Sequence, residues 1–181
     1  MAKAPSGTGV AVRERTGLKV IPPRRSRDEI RATLARSGFV AFPVDQHMAP
    51  FRAIVCEFFG QLAATSPAPT RFALETGASV ITVHIEREGP PGHHHMTIEP
   101  FELETPYPDR EANVRHNTER LNRVIEGWIR GAPDQWLWMH QRWKVHDDPT
   151  GWDIPPELWA KVGRSGPPPV AAPPLAKQRE G

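Results

Sequence analysis

The chain has 181 residues, of which 38% are hydrophobic, and its formal net charge is +2. That length suits one domain with a substantial core, and the mean hydropathy of −0.51 is typical of a sequence that folds in water. No Lys/Arg run resembles a nucleic-acid-binding stripe, and no apolar run reaches the ~18 residues of a membrane span. Cys56 stands alone, which rules out an internal disulfide and fits a reducing compartment. The first 20 residues lack the apolar core of a signal peptide, so we expect any membrane contact to be peripheral.

Short apolar runs alternate with a helical pattern along the first third of the chain. Residues 1–17 are small and polar, and they predict a flexible N-terminus. The apolar runs predict strands at Leu18–Ile21, Phe39–Val44 and Ile54–Phe59. The second of these runs is nearly continuous, as in a strand buried in a parallel sheet. Between the first two strands, Ser26–Ser37 is a predicted helix, which ends at a glycine.

The alternation continues through the middle of the chain. Pro67–Thr76 is a predicted helix, and Val80–Ile85 and His94–Ile98 are predicted strands joined by a turn at Gly89–Gly92. Strands alternating with helices predict an α/β fold in which helices flank a sheet.

The longest predicted helix starts after its cap Asp109 and runs to about Arg130. Its inner face is a 3,4-spaced stripe formed by Val114, Thr118, Leu121, Ile125 and Trp128. A further helix is predicted after Pro133, with Trp136, His140 and Trp143 on one face. Residues 147–181 are predicted to form a tail that becomes Pro-rich and disordered, which leaves one domain over residues 18–146.

Four sequence blocks carry the functional signal. They are F-V-A-F-P-V-D-Q-H at Phe39–His47, I-V-C-E-F-F-G-Q-L-A-A-T at Ile54–Thr65, N-T-E-R-L-N-R-V-I-E-G-W-I-R at Asn117–Arg130 and Q-W-L-W-M-H-Q-R-W-K at Gln135–Lys144. In this order, from about residue 15 to residue 144, they resemble the C-terminal portion of the bacterial lipid A biosynthesis acyltransferases. These are the lauroyl and myristoyl transferases of the lysophospholipid acyltransferase superfamily. The signature residues carried by the resemblance are Phe58, Phe59, Gln135, Trp136, Trp138, His140, Arg142, Trp143 and Lys144.

The resemblance implies part of an acyltransferase-type mixed sheet, and it implies an enzyme. Such enzymes transfer a fatty acyl group from acyl carrier protein or acyl-CoA to a hydroxyl of a lipid A precursor or a related lysolipid. They act at the cytoplasmic face of the inner membrane, so the resemblance implies peripheral contact with an anionic membrane surface. It implies no metal and no organic cofactor, and the charge balance above predicts no nucleic-acid partner.

The family's catalytic motif, a histidine followed after four residues by Asp or Glu, belongs upstream of the segment Leu18–Ile21. In that motif the histidine takes the proton from the attacking hydroxyl, and losing such a base costs roughly 10²–10⁴-fold in rate. We therefore expect a truncated or degenerate copy that is inactive alone. It would arise from a split gene whose separately encoded N-terminal half supplies the base, from a mis-set start codon, or from gene decay. The alternative is a non-catalytic module that binds a membrane surface or acyl carrier protein.

His94 and Glu99 have the spacing of that catalytic motif, but they fall along a predicted strand. Residues five apart on a strand are separated by about 16 Å and point to opposite faces, so we interpret the spacing as coincidence. The run His93–His95 could suggest a metal, but only its outer two residues would share a strand face. A solvated hairpin edge is the preferred interpretation.

Five residues are candidates for substrate binding. Asp45 and Gln46 follow a predicted buried strand, where ligands usually bind in open α/β sheets. The alternative is that they are ordinary turn residues without a binding role. Thr65 is expected to cap the next helix beside free amides, a natural phosphate site. Arg71, one or two turns further, would neutralise a phosphate or serve as an ordinary surface arginine. Gly60 is the fifth candidate, because it is the glycine of the F-F-G motif that the resemblance carries.

The tryptophan-rich segment at Gln135–Lys144 has three interpretations: the lid of a core, an interfacial belt at a membrane, or part of the acyl-donor site. Arg142 and Lys144 are expected at a solvated helix end, where they would favour the helix dipole or meet anionic headgroups. Cys56 is expected to be an inert core residue. If a central strand and helix belong to a missing N-terminal piece, we expect exposed apolar surface and self-association.

Overall fold

A computed structural model describes residues 7–21 and 26–169, and it separates into two compact units, Met1–Val40 and Ala41–Gly181. The α/β class is confirmed: helices flank two small antiparallel sheets of two strands each. The α-helices are α1 (Gly7–Arg15), α2 (Ser26–Ala35), α3 (Ala68–Thr76), α4 (Arg110–Gly131), α5 (Lys144–Asp147) and α6 (Pro156–Lys161). The strands are β1 (Ile54–Phe58), β2 (Gln61–Thr65), β3 (Val80–Arg87) and β4 (His94–Phe101), and 3₁₀ turns lie at Pro50–Arg52 and Pro133–Gln135.

The first unit contains α1 and α2. Helix α1 forms where the sequence predicted only a flexible end, and α2 confirms the predicted helix, with Ile30 buried on its inner side. Gly38 ends this helical segment by donating its amide to the Thr33 carbonyl at 2.9 Å. A Cβ at Gly38 would lie only 2.8 Å from the Thr33 methyl group, so the chain can pass there only without a side chain.

Two predicted strands are wrong. Leu18–Ile21 and Phe39–Val44 have no strand structure, and the side chain of Phe39 is 91% exposed. Neither segment finds a partner strand in the described part of the chain, and an unpaired apolar run has no ladder to hold it extended. The prediction of a strand buried in a parallel sheet therefore fails at residues 39–44.

The first hairpin pairs β1 with β2 in antiparallel register, with Val55 opposite Ala64. Its two-residue turn is Phe59–Gly60, with φ of 52° and 72°, which is the left-handed geometry of the hairpin turns that suit twisted strands. Strand β1 confirms the prediction for residues 54–59. Strand β2 was not predicted, because its short sequence Q-L-A-A-T carries two alanines and only one β-branched residue, Thr65.

The second hairpin confirms the predicted strands and their turn, with Val83 opposite Ile98 in antiparallel register. Its residues alternate between a face that carries Thr82 and His84 and a face that is largely open. The apolar side chains on the open face are 45–58% exposed, and they are Ile81, Val83, Ile85, Met96 and Ile98. Together they form a contiguous exposed apolar surface. That a missing N-terminal piece would cover it stays a prediction.

Helix α4 organises the core of the second unit. Its cap is confirmed: the Asp109 carboxylate accepts from the Ala112 amide at 2.7 Å. The predicted stripe is buried apart from Trp128, which is half-buried. At the C-terminal half of the helix, Ile125 and Ile129 pack with Phe58 and Ala63 of the first hairpin, which fixes that hairpin against the helix.

The predicted helix over Trp136–Trp143 is wrong. After α4 the chain makes the 3₁₀ turn at Pro133–Gln135 and then a series of turns up to α5. Side chains of this segment pack on the first hairpin instead of forming one helical face.

A second core cluster includes residues from the segment predicted to be a tail. Its buried members are Val55, Leu62, Ala64, Val145, Trp152, Ile154, Leu158 and Trp159. Residues 152–159 therefore pack on the first hairpin, whereas residues 170–181 lie outside the described part of the chain. The domain limits at residues 18–146 stay a prediction.

Candidate functional site

Arg142, the arginine of the tryptophan-rich block, is fully buried, so the expectation of a solvated helix end is wrong for it. One terminal nitrogen donates to the Ala64 carbonyl at 2.5 Å and more weakly to the Gln46 carbonyl at 3.5 Å. The other donates to the Thr65 hydroxyl at 2.7 Å and to the Asn122 side-chain carbonyl at 3.3 Å. These four acceptors are neutral, and the Asp45 carboxylate adds a Coulombic attraction to the buried cation. The Arg142 guanidinium thus links the end of β2, helix α4 and the bend at residues 45–46.

Thr65 belongs to this buried network, and the expectation that it caps α3 is wrong. The residue at the cap position of α3 is Pro67, which offers no side-chain hydrogen bond. The Thr65 hydroxyl accepts from Arg142 and from the Asn122 amide at 3.1 Å. The same Asn122 amide donates to the Glu57 carbonyl at 3.2 Å. All four sequence blocks of the acyltransferase resemblance thus meet at one buried polar junction, the first of them through the weak contact to Gln46.

Burial also shifts the proton affinities at this junction. Desolvation of the guanidinium lowers the pKa of Arg142 to about 10, which still leaves it charged at neutral pH. The Phe58 ring lies 4.9 Å from the guanidinium carbon and adds a cation–π contact. Desolvation raises the pKa of the buried Cys56 thiol to about 12, so the thiol stays protonated, as its expected inert role requires.

The tryptophans form an aromatic cluster around Phe58. The Phe58 ring centre lies 5.9 Å from that of Trp136 and 5.9 Å from that of Trp143. The Trp143 indole donates to the Phe58 carbonyl at 3.0 Å. This packing favours the core-lid interpretation for Trp136 and Trp143. Trp138 differs, because its side chain remains about half exposed.

A cleft of about 340 Å³ lies between the 42–45 segment, β3 and the C-terminal half of α4. Its walls are largely apolar, and they include Phe42, Val44, Ile125, Trp128, Ile129 and Trp136. Its polar groups are Asp45, His84, Glu86 and Gln135. An apolar cleft with a few polar groups is the usual form of a small-molecule site. Asp45 lines this cleft, although the strand that the sequence predicted before it is absent.

Two residues that line the cleft, His84 and Glu86, were not among the predicted site residues. They are two residues apart on one face of β3, and the His84 Nε2 lies 3.3 Å from a Glu86 carboxylate oxygen. The imidazole stacks on Trp128, with ring centres 4.4 Å apart. Its Nδ1 is buried with no hydrogen-bond partner in the described part of the chain, as is the Trp136 indole nitrogen. The alternating pattern His-x-Glu on a predicted strand is the sequence signal that could have identified the pair.

The remaining candidates lie apart from this pocket. Gln46 is exposed, Gly60 forms the first hairpin's turn, and the Arg71 guanidinium forms an ion pair with Glu111 at 2.5 Å. Lys144, the first residue of α5, is exposed and lines a separate depression that includes His47. The substrate-binding roles of Asp45, Gln46, Gly60, Thr65 and Arg71 stay predictions.

Gln135 and His140 complete the signature residues. The Gln135 amide pairs with the Arg87 backbone, accepting from its N–H at 2.6 Å and donating to its carbonyl at 3.2 Å. This contact attaches the end of β3 to the segment after α4. The half-buried His140 donates its backbone amide to the Leu137 carbonyl, which closes a turn.

The histidine run His93–His95 is exposed and lies just after the hairpin turn, at the start of β4. His94 and Glu99 both lie on β4, as the strand argument against a catalytic pair requires. Within residues 7–21 and 26–169, no three His, Cys, Asp or Glu side chains come together as metal ligands. No helix in those same ranges is long and apolar enough to cross a membrane.

Comparison with known proteins agrees with the resemblance. A profile of the bacterial lipid A biosynthesis acyltransferase matches residues 9–145, which is more than half of the chain. No curated protein matches it. The matched range includes the cleft, the Arg142 junction and the aromatic cluster. Such a family implies acyl transfer in general, with an acyl donor and a lipid acceptor. The chain therefore belongs to the bacterial lipid A biosynthesis acyltransferase family.

Proposed function

We propose that this chain forms the substrate-binding part of a fatty acyltransferase that acts on a lipid hydroxyl. The donor is an acyl thioester of acyl carrier protein or coenzyme A, and the acceptor is a lipid A precursor or a related lysolipid. The observation that carries the proposal is the apolar cleft with Asp45 at its edge, within the family-matched range. Apolar walls suit an acyl chain, and a carboxylate suits a hydroxyl donor.

The base is proposed to come from polypeptide outside these residues, as a separately encoded N-terminal half would supply it. Within the sequence, the His-x4-Asp/Glu spacing occurs only at His94 and Glu99, which are extended along β4. Two residues five apart on a strand cannot fold a carboxylate back onto an imidazole. In the proposed reaction the external histidine takes the hydroxyl proton, the oxygen attacks the thioester carbonyl, and the thiol leaves with that proton. The proposed location is the cytoplasmic face of the inner membrane, with peripheral contact.

The test is acyl transfer from radiolabelled acyl carrier protein or acyl-CoA to a lipid A precursor in detergent micelles. The chain is supplemented with an N-terminal segment of a family member that carries the motif. We expect an acylated acceptor, and Asp45→Asn should lower the rate about tenfold or more, since a hydrogen bond to a charged group contributes about 1.5–3 kcal/mol. The exposed Asp153→Asn is the matched control and should keep the rate. Absence of product from folded, associated polypeptides would count against the proposal.

A non-catalytic membrane-surface or carrier-binding module is the second candidate. The observation that favours it is the exposed apolar character of Leu137, Trp138 and Met139, which acyl transfer in the cleft does not require. Binding of vesicles or acyl carrier protein, with no transfer under the supplemented conditions, would support this candidate over the enzyme.

A further inference from the structure

Three consecutive large apolar side chains protrude from a turn after the 3₁₀ helix at residues 133–135. Trp138 and Met139 occupy the corner of the turn, which closes where the His140 amide donates to the Leu137 carbonyl at 3.1 Å. The exposed fractions are 55% for Leu137, 49% for Trp138 and 86% for Met139. Turn corners ordinarily carry Gly, Asn, Asp or Ser, so this 137–139 tip is an exposed apolar patch at an unusual place.

The tip is fixed to the body of the second unit. The Trp138 indole donates to the Pro133 carbonyl at 2.6 Å, so its polar atom is satisfied within the protein. Its ring centre lies 4.8 Å from that of Trp136 and 6.4 Å from that of Phe59. Because its donor is already bonded, the ring can enter an apolar phase without leaving an unpaired polar group.

A cation lies next to the tip. The Phe59 backbone has a φ of 52°, an uncommon conformation for a bulky residue, and its amide donates to the Glu126 carboxylate at 2.8 Å. This turn holds the Phe59 ring against Trp138 on one side. The Arg130 guanidinium carbon lies 4.7 Å from the same ring, and the Arg130 side chain is 66% exposed. The Glu126 partner of Arg130 lies 3.8 Å away and is mostly buried.

We propose that the 137–139 tip inserts into an anionic phospholipid bilayer, with Arg130 at the level of the headgroups. A protruding apolar corner fits a fluid apolar phase, because the phase adapts to its shape, and the exposed guanidinium complements anionic headgroups. The exposed Asp134 in the preceding 3₁₀ turn offsets some of that charge, so burial of apolar side chains supplies most of the binding. Trp136 and Trp143 stay packed around Phe58. This inference rests on the membrane contact of the proposed function and deepens it by naming the residues that enter the bilayer, and vesicle binding can be measured without acyl transfer.

The test is cosedimentation of the full chain with vesicles of equal parts phosphatidylcholine and phosphatidylglycerol. We expect the wild type to bind, and Leu137→Ser with Met139→Ser to lower the partition coefficient about tenfold or more. The matched control is Met96→Ser with Ile98→Ser, which removes comparably exposed apolar side chains from the second hairpin. It should leave binding nearly unchanged. Met139→Glu is a second tip variant, and because Met139 is 86% exposed it should fold normally and still bind poorly.

The charge is tested with two arginines at opposite ends of α4, which lie about 30 Å apart along the helix. Arg130→Gln should weaken binding to the anionic vesicles about fivefold, with no effect on pure phosphatidylcholine. Arg110→Gln should bind like the wild type, although Arg110 is also half exposed and also lies near a carboxylate, that of Glu75 at 3.5 Å.

Three results would overturn the inference: no sedimentation of the wild type, undiminished sedimentation of both tip variants, or an equal loss in the hairpin control. Binding of acyl carrier protein in place of vesicles would also overturn it. Failure of acyl transfer with vesicle binding intact would bear on the proposed function alone.

Discussion

Replacing Arg142 with alanine should destabilise the protein far more than replacing any exposed arginine. The substitution removes a fully buried guanidinium and its two short bonds, to the Ala64 carbonyl at 2.5 Å and to the Thr65 hydroxyl at 2.7 Å. Both acceptors are buried and would lose a charged donor. Hydrogen bonds to charged groups contribute about 1.5–3 kcal/mol each, so we expect the free energy of unfolding to fall by about 3–5 kcal/mol.

Urea and thermal unfolding followed by circular dichroism measure this loss. For a chain of this size, such a change corresponds to a Tm lower by about 6–20 °C. Arg142→Lys should fall between the wild type and Arg142→Ala, because an ammonium keeps the charge but cannot donate in a planar fork to Ala64 and Thr65 together. The matched control is Arg71→Ala, which breaks a partly exposed ion pair with Glu111 and should cost about 0–1 kcal/mol.

The reasoning would be refuted if Arg142→Ala and Arg71→Ala changed the free energy of unfolding equally. An Arg142→Ala protein as stable as the wild type would show that the buried network contributes nothing net. That outcome would also remove the physical reason for the arginine in the sequence signature.

Three further predictions follow from burial and exposure. The pKa of His146 is lowered by burial and by Arg164, and the pKa of His47 is lowered by burial and by Lys144 and Arg142. The unfolded chain therefore binds protons more readily than the folded chain, so stability should fall as the pH drops below about 6.5, through the lowered folded pKa values. Melting curves between about pH 7 and about pH 5 measure the decline. The buried Cys56 should resist a thiol reagent in the native state and react on unfolding, as absorbance assays report. The open apolar face of the second hairpin should make the chain self-associate, and Val83→Lys with Ile98→Lys should shift it towards monomer in size-exclusion chromatography with light scattering.

Each of these predictions has an outcome that would contradict it. His146→Gln should flatten the decline with pH, because the Nδ1 of His146 accepts from the Leu62 amide at 3.3 Å only when unprotonated. If His146→Gln and the double variant with His47→Gln both lose stability with falling pH as the wild type does, these two histidines do not cause the decline. Rapid labelling of native Cys56 would show that β1 opens readily. A wild type that stays monomeric at high concentration would show that the open apolar face of the second hairpin does not drive self-association.

Local signals were sufficient to predict most of the α/β elements. Asp109 caps α4 because a carboxylate beside free amides is a strong local start signal, and the 3,4-spaced stripe then fixed which side of the helix is buried. The second hairpin followed from the turn at Gly89–Gly92 between two alternating runs. Such features depend on residues close in sequence.

Features that depend on distant partners could not be predicted in this way. Phe39–Val44 has a strand-like composition but no neighbouring strand among the described residues, so composition alone predicted a strand that does not form. Trp136–Trp143 has helical spacing, yet packing against Phe58 favours turns. The burial of Arg142 rests on acceptors 78 and 77 residues away in sequence, and no local pattern reports them.

The candidate site was predicted in part. Asp45 lies in the cleft, but Thr65 satisfies Arg142 instead of capping α3. His84 and Glu86 escaped notice because a His-x-Glu pair on a strand is common in sequence, and only the fold brings it against Trp128 and the cleft.

The most direct test of the account is the rate of acyl transfer by the purified 181-residue chain alone, with acyl carrier protein and acyl-CoA donors and a lipid A precursor as acceptor. The account predicts a rate equal to that of the mixture without protein, since the catalytic base is proposed to lie outside these residues. Turnover by the chain alone would contradict it, and would place the base among the chain's own histidines.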